Sequence, residues 1–89
     1  MRDRKMFKKE VYLENLEEGL DLVHTLTTFK DDVDLEKGSI CVDGKSMIGV
    51  SALGFPLTID CVLHSDNEIT IGIFEKCLDK FIAKKVSAD

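Results

Sequence analysis

Apolar and polar residues alternate at Glu10-Val11-Tyr12-Leu13, the two-residue period of a half-buried strand. The alternation predicts a strand within Phe7 to Leu13, with Val11 and Leu13 turned inward. The spacing then becomes helical: Leu16, Leu20, Val23 and Leu26, with Leu22 and Phe29 at the margin, form one stripe ending near Lys30. Asn15 and Glu18 have capping-box spacing, in which the Asn side chain accepts a first-turn N–H and the Glu reaches back. Gly19 within this helix costs about 1 kcal/mol relative to alanine, which predicts a close contact with a sheet.

The next stretch reads as strand, turn, strand, turn and short helix. Asp32 to Val42 is a hairpin broken at Gly38, Asp43-Gly44 is a turn, and Ser46 to Leu53 is a short helix closed by Gly54. Leu57 to His64 alternates with Leu57, Ile59, Cys61 and Leu63 on one face, and predicts a strand. Ser65 and Glu68 have a second capping-box spacing. Glu68 to Ile73 alternates like a strand, but Ile73, Phe74, Cys77, Leu78, Phe81 and Ile82 hold one face over several turns, and length decides for a helix. The order β-α-β-β-α-β-α predicts an α+β open-faced sandwich: an antiparallel sheet of about four strands with helices on one face.

Composition narrows the function classes. At 89 residues the chain reads as a single domain over 1–89, with 1–6 a flexible arm. No apolar run has the roughly 20 residues of a membrane helix, and no signal-peptide core follows Arg2, Arg4 and Lys5, so a cytoplasmic protein is expected. A net charge of −5 opposes nucleic-acid binding. Three cysteines without C-x-x-C spacing predict reduced thiols and no metal centre, with Cys61 and Cys77 in the core and Cys41 the most accessible. No nucleotide, metal or organic cofactor motif is present, and no enzyme constellation: His24 reads as a surface residue outside the helical stripe and His64 as a solvated strand end.

Asp32-Val33-Asp34-Leu35-Glu36 and Lys45-Ser46-Met47-Ile48-Gly49-Val50 through Leu53-Gly54 resemble the second strand and regulatory-serine helix of the HPr family. These are the histidine-containing phosphocarrier proteins of the bacterial sugar phosphotransferase system. With the element order, the resemblance covers roughly Phe7 to Lys85. It implies the HPr fold and protein partners: phosphotransferase-system components, HPr kinase or a transcriptional regulator.

In that family a histidine at the start of the first helix accepts phosphate and an arginine two residues later holds it. Carried over without a gap, the histidine position falls on Asn15 and the arginine position on Glu17. A one-residue gap sets Gly19-Leu20-Asp21 against the family's Gly-Leu-His, so neither alignment supplies a histidine. Glu14, Glu17, Glu18 and Asp21 would repel a phosphoryl group at this helix start. The expected function is therefore a regulatory or protein-interaction role without histidine phosphotransfer. Ser46 is the candidate phosphorylation site, and Lys45, Met47 and Ile48 are the candidate partner patch; Ser51 stands where the family places another large exposed residue. The alternative is an active phosphocarrier using an atypical acceptor, His24.

Overall fold

In the computed structural model, which describes residues 6–82, four strands form one antiparallel sheet in the order β1-β4-β2-β3. The elements are β1 (Phe7–Leu13), α1 (Leu16–Leu26), β2 (Val33–Lys37), β3 (Ile40–Asp43), α2 (Met47–Ser51), β4 (Leu57–Leu63) and α3 (Glu68–Ile82). The predicted β-α-β-β-α-β-α order and antiparallel sheet with helices on one side are both present. The basic arm falls on residues 1–5, outside the described residues, apart from Met6.

Register sorts the sheet into two chemically different faces. Val11 lies opposite Ile59, Leu35 opposite Cys61, and Val33 opposite Leu63, and all six are buried. Their side chains share the helix-facing side because strand residues two apart point the same way. On the other face Glu10, Asp60, Glu36 and Cys41 stand side by side across the four strands. Cys41 is exposed and Cys61 buried, as strand parity predicts, whereas Cys77, expected in the core from the helical stripe, is only half-buried against it. Val62 departs from the expected alternation: it faces the open side yet is buried. It sits on the central strand between Lys8 and Asp34, and these neighbours cover it.

The first helix buries a different stripe from the one its leucines suggest. Gly19, Leu22, Val23 and Leu26 are buried, whereas Leu16 is 47% exposed and Leu20 half-buried. At about 100° per residue Gly19 and Leu22 centre the inward face. Gly19 contributes no apolar signal, so the centre of that face was displaced toward Leu16 and Leu20. The expected close contact at Gly19 exists, but with the Phe55 ring of the loop before β4 and not with the sheet. A Cβ at Gly19 would lie 2.7 Å from Phe55 Cζ. Gly19→Ala is therefore expected to cost about 1 kcal/mol, the steric penalty exceeding the helix-propensity gain. In a Phe55→Ala background the sign should reverse, and urea unfolding of the four proteins would read both values. The same sign in both backgrounds would refute the contact.

The third helix caps differently from expectation. Asn67, not Ser65, holds its N-terminus: Asn67 Oδ1 accepts from Ile69 N–H at 2.9 Å and Thr70 N–H at 3.0 Å. Ser65 Oγ instead accepts from Asn67 N–H at 3.1 Å, fixing the turn that precedes the cap. Phe74, Leu78 and Phe81 are buried, while Ile73 is 52% exposed although its spacing placed it on the core face. Phe74 stands edge-on to Phe7 at 6.0 Å and to Phe29 at 5.6 Å, tying α3 to β1 and to the segment after α1. A Lys9–Glu75 pair at 3.6 Å adds a polar contact between β1 and α3.

Candidate functional site

Two short segments are the candidates: the start of α1, and the turn leading into α2, which lies against the opposite end of α1 at Leu26 and Phe29. At the first, Asn15 has extended backbone and its Oδ1 accepts from Glu18 N–H at 3.0 Å. The Glu18 carboxylate accepts from Glu14 N–H at 2.9 Å, one residue earlier than the usual box. Both donors are thus satisfied by side chains of this chain, one of them a carboxylate. Glu17 is exposed on the first turn. Anions favour a helix N-terminus because its amides lack partners and its dipole is positive. At α1 the Asn15 side chain takes one of these amides, and the added charge is negative.

At the second segment, Asp43 shapes the turn: its Oδ1 accepts from Lys45 N–H at 2.9 Å and its carbonyl from Ser46 N–H at 3.0 Å. Gly44 N–H donates to the Val33 carbonyl at 2.8 Å, anchoring the turn on β2. Ser46 then caps α2, its Oγ accepting from Gly49 N–H at 3.1 Å. The helix is five residues long, Met47–Ser51, shorter than the Ser46 to Leu53 expected, so its dipole is small. Val50 is its buried anchor. Ser51 Oγ donates back to the Met47 carbonyl at 2.7 Å, so this side chain is turned onto its own helix.

The four residues of the expected patch occupy different environments. Met47 is 56% and Ile48 83% exposed, so both are surface residues and neither belongs to the core. Lys45 is half-buried, and its Nζ donates to the Phe29 carbonyl. That contact ties the turn to the segment after α1 and leaves the ammonium already engaged. Ser46 is half-buried at the base of the exposed pair.

Between α1 and α2 lies an open cleft of about 460 Å³, lined by Leu20, Val23, His24, Thr27, Lys45 and Met47. Leu16, one turn before Leu20, continues its apolar edge toward the helix start. The periodicity of α1 contained this signal, since Leu16 and Leu20 form one side of the stripe, but periodicity alone cannot tell a core stripe from a docking edge. The exposed His24 imidazole stands at the cleft, and its carbonyl accepts from Thr27 Oγ1 at 2.8 Å.

His64 departs from the solvated strand end expected. It is half-buried, its Nε2 lies 2.8 Å from Asp34 Oδ2, and its N–H donates to the Asp32 carbonyl at 2.9 Å. It closes the end of the sheet and lies on a different element from the cleft.

On the open sheet face Asp34, Glu36 and Cys41 bring their side-chain ligand atoms within 4.8 Å of one another. No cysteine spacing announced this group, because the β2–β3 register assembles it. Partial desolvation, followed by the charges of Asp34 and Glu36, raises the Cys41 pKa above its ordinary value. Near neutral pH the group therefore presents a thiol, a poor metal ligand.

Element order, the four-stranded antiparallel sheet and the helices on one side are those of the HPr phosphocarrier fold. An HPr-C-His protein of Thermoanaerobacter tengcongensis superposes with a TM-score of 0.65 at 18% identity, over 92% of this chain and 99% of that one. The phosphocarrier protein HPr of Bacillus anthracis strain Ames gives a TM-score of 0.60 at 22% identity, over 82% of this chain and 96% of that one. No family model matches the sequence, and no curated protein does. Among the described residues no helix is long and apolar enough to cross a membrane.

Proposed function

We propose that this chain is a protein-interaction or regulatory protein related to the sugar phosphotransferase system, working in the cytoplasm without histidine phosphotransfer. The observation that carries this reading is the closed start of α1. Asn15 takes the Glu18 amide of the first turn, the Glu18 carboxylate takes the Glu14 amide just before the helix, and by the resemblance Glu17 falls on the family's arginine position. Binding function shifts to α2, where Met47 and Ile48 present apolar side chains beside the cleft and Ser46 sits at their base. Burying two such side chains against a partner would contribute several kcal/mol in favour of docking. A phosphate on Ser46 would add nearly two negative charges at the edge of that patch and change which partners it accepts.

A second reading keeps phosphotransfer and assigns it to His24, whose exposed imidazole lines the cleft with Lys45. Against it, the Lys45 ammonium is already held by the Phe29 carbonyl, and Asp21 lies on the turn of α1 before His24. Transfer through imidazole requires a cationic pocket to receive the phosphoryl group.

Incubation with enzyme I and labelled phosphoenolpyruvate, followed by acid, separates the two readings. No acid-labile label is expected. Label that disappears in His24→Ala would overturn the proposal in favour of the carrier. Incubation with HPr kinase and ATP is expected to give acid-stable label that Ser46→Ala abolishes. Its absence would remove Ser46 as a regulated site.

A further inference from the structure

The outward side of α3 has features that the chain's own packing does not explain. Ile69 is 75% and Ile73 52% exposed, and Gly72 lies between them. Glycine in a helix interior is unfavourable, yet Gly72 does not have a positive φ, and a Cβ there would meet nothing within 4 Å. At about 100° per residue Ile69, Gly72 and Lys76 lie opposite the buried Phe74, Leu78 and Phe81. Glu68 and Lys76 are exposed at the two ends of this strip, and neither has an ion-pair partner among the described residues.

We propose that this strip is a self-association surface, on which a second copy of the chain packs its α3 antiparallel across Gly72. A two-fold axis that sets Ile73 of one copy over Gly72 of the other also sets Ile69 against Lys76. The missing side chain at Gly72 provides the space that Ile73 fills, and small residues at a helix crossing let the axes approach closely. The methylene stem of Lys76 covers Ile69, while its ammonium reaches the neighbouring Glu68 of the partner. Each contact occurs twice, as an isologous interface requires. A parallel pairing would set Lys76 against Lys76 and Glu68 against Glu68. Charge thus selects the antiparallel arrangement, and with it a second copy of this chain as the occupant. One helix face per copy falls near or below the roughly 1,000 Å² of a stable interface, so the dimer forms as concentration rises.

Sedimentation equilibrium of the full chain from roughly 10 μM to 1 mM tests this directly, a range that brackets weak protein association. The weight-average mass is expected to rise toward that of a dimer. Gly72→Leu fills the space above the helix and is expected to weaken the dimer at least tenfold, while its Tm shows that the monomer still folds. Glu68→Lys and Lys76→Glu should each weaken association, and the double variant should restore it, which damage to the monomer would not do. A mass that stays monomeric throughout overturns the proposal. So does a dimer indifferent to Gly72→Leu, or charge variants whose combination restores nothing.

Discussion

Replacing Phe74 with alanine is expected to remove about 4 kcal/mol of folding stability, the largest effect of any single side chain in this domain. The ring is fully buried and stands edge-on to both Phe7 and Phe29, so its loss opens a cavity where α3, β1 and the end of the α1 segment meet. A domain of this size has only roughly 4 to 13 kcal/mol to lose, by the usual stability per residue, so the variant should be marginally folded at room temperature. Ile73→Ala, one residue away on the exposed side, should change stability by no more than about 0.5 kcal/mol. Urea unfolding of both variants checks the contrast. Equal costs would mean that α3 does not present the face described, and would favour the strand-like alternation of Glu68 to Ile73.

Cys61 provides the second large effect, and it depends on pH. Burial, with a smaller contribution from Asp60, pushes its thiol from 9.0 up to about 12. The folded state therefore holds this proton over a pH range in which the unfolded chain releases it. Stability from the neutral thiol is fully present below about pH 9 and is lost as pH rises toward 12. The slope is about 1.4 kcal/mol per pH unit within that window, and the full loss is on the order of 4 kcal/mol. Cys61→Ala should cost about 1 kcal/mol near pH 8 through the small cavity it leaves. Because the variant lacks the ionisation, the two stability curves should converge and cross as pH rises above 9. Lysines and the other thiols titrate in both proteins and cancel in the difference. A difference that does not change with pH would show that the thiol is not held neutral in the core.

The two effects share an origin. Both residues lie on the helix-facing side of the sheet or against it, where the core is continuous and water is excluded. The open face carries the opposite chemistry, with Glu10, Asp60 and Glu36 adjacent across the strands. Like charges in directly opposed strand positions disfavour pairing, so the sheet is held by its apolar face.

Much of the candidate site was legible in the sequence. Asn15 as a cap and the acidic surroundings of α1 followed from residue type and spacing, because a cap depends on neighbours within one turn. Met47 and Ile48 could be named, but whether they faced the core or the solvent could not. One turn of helix has too little length for periodicity to choose a face, and Val50 alone does so by packing inward. The engagement of Lys45 with the Phe29 carbonyl and the pairing of His64 with Asp34 join residues far apart in sequence, and no local pattern records them.

By itself the sequence determined the order of elements, the inward face of β1 and β4, the exposure of Cys41 against the burial of Cys61, and the absence of a histidine at the start of α1. These are local properties: strand parity, helical spacing and residue identity act over a few positions. Tertiary structure alone decided which stripe of α1 is buried, where Phe55 meets Gly19, that Val62 is covered on an open face, and that Leu20, His24 and Met47 border a cleft. Each depends on what another segment brings to the same place, and packing between distant segments is settled only when the whole core closes.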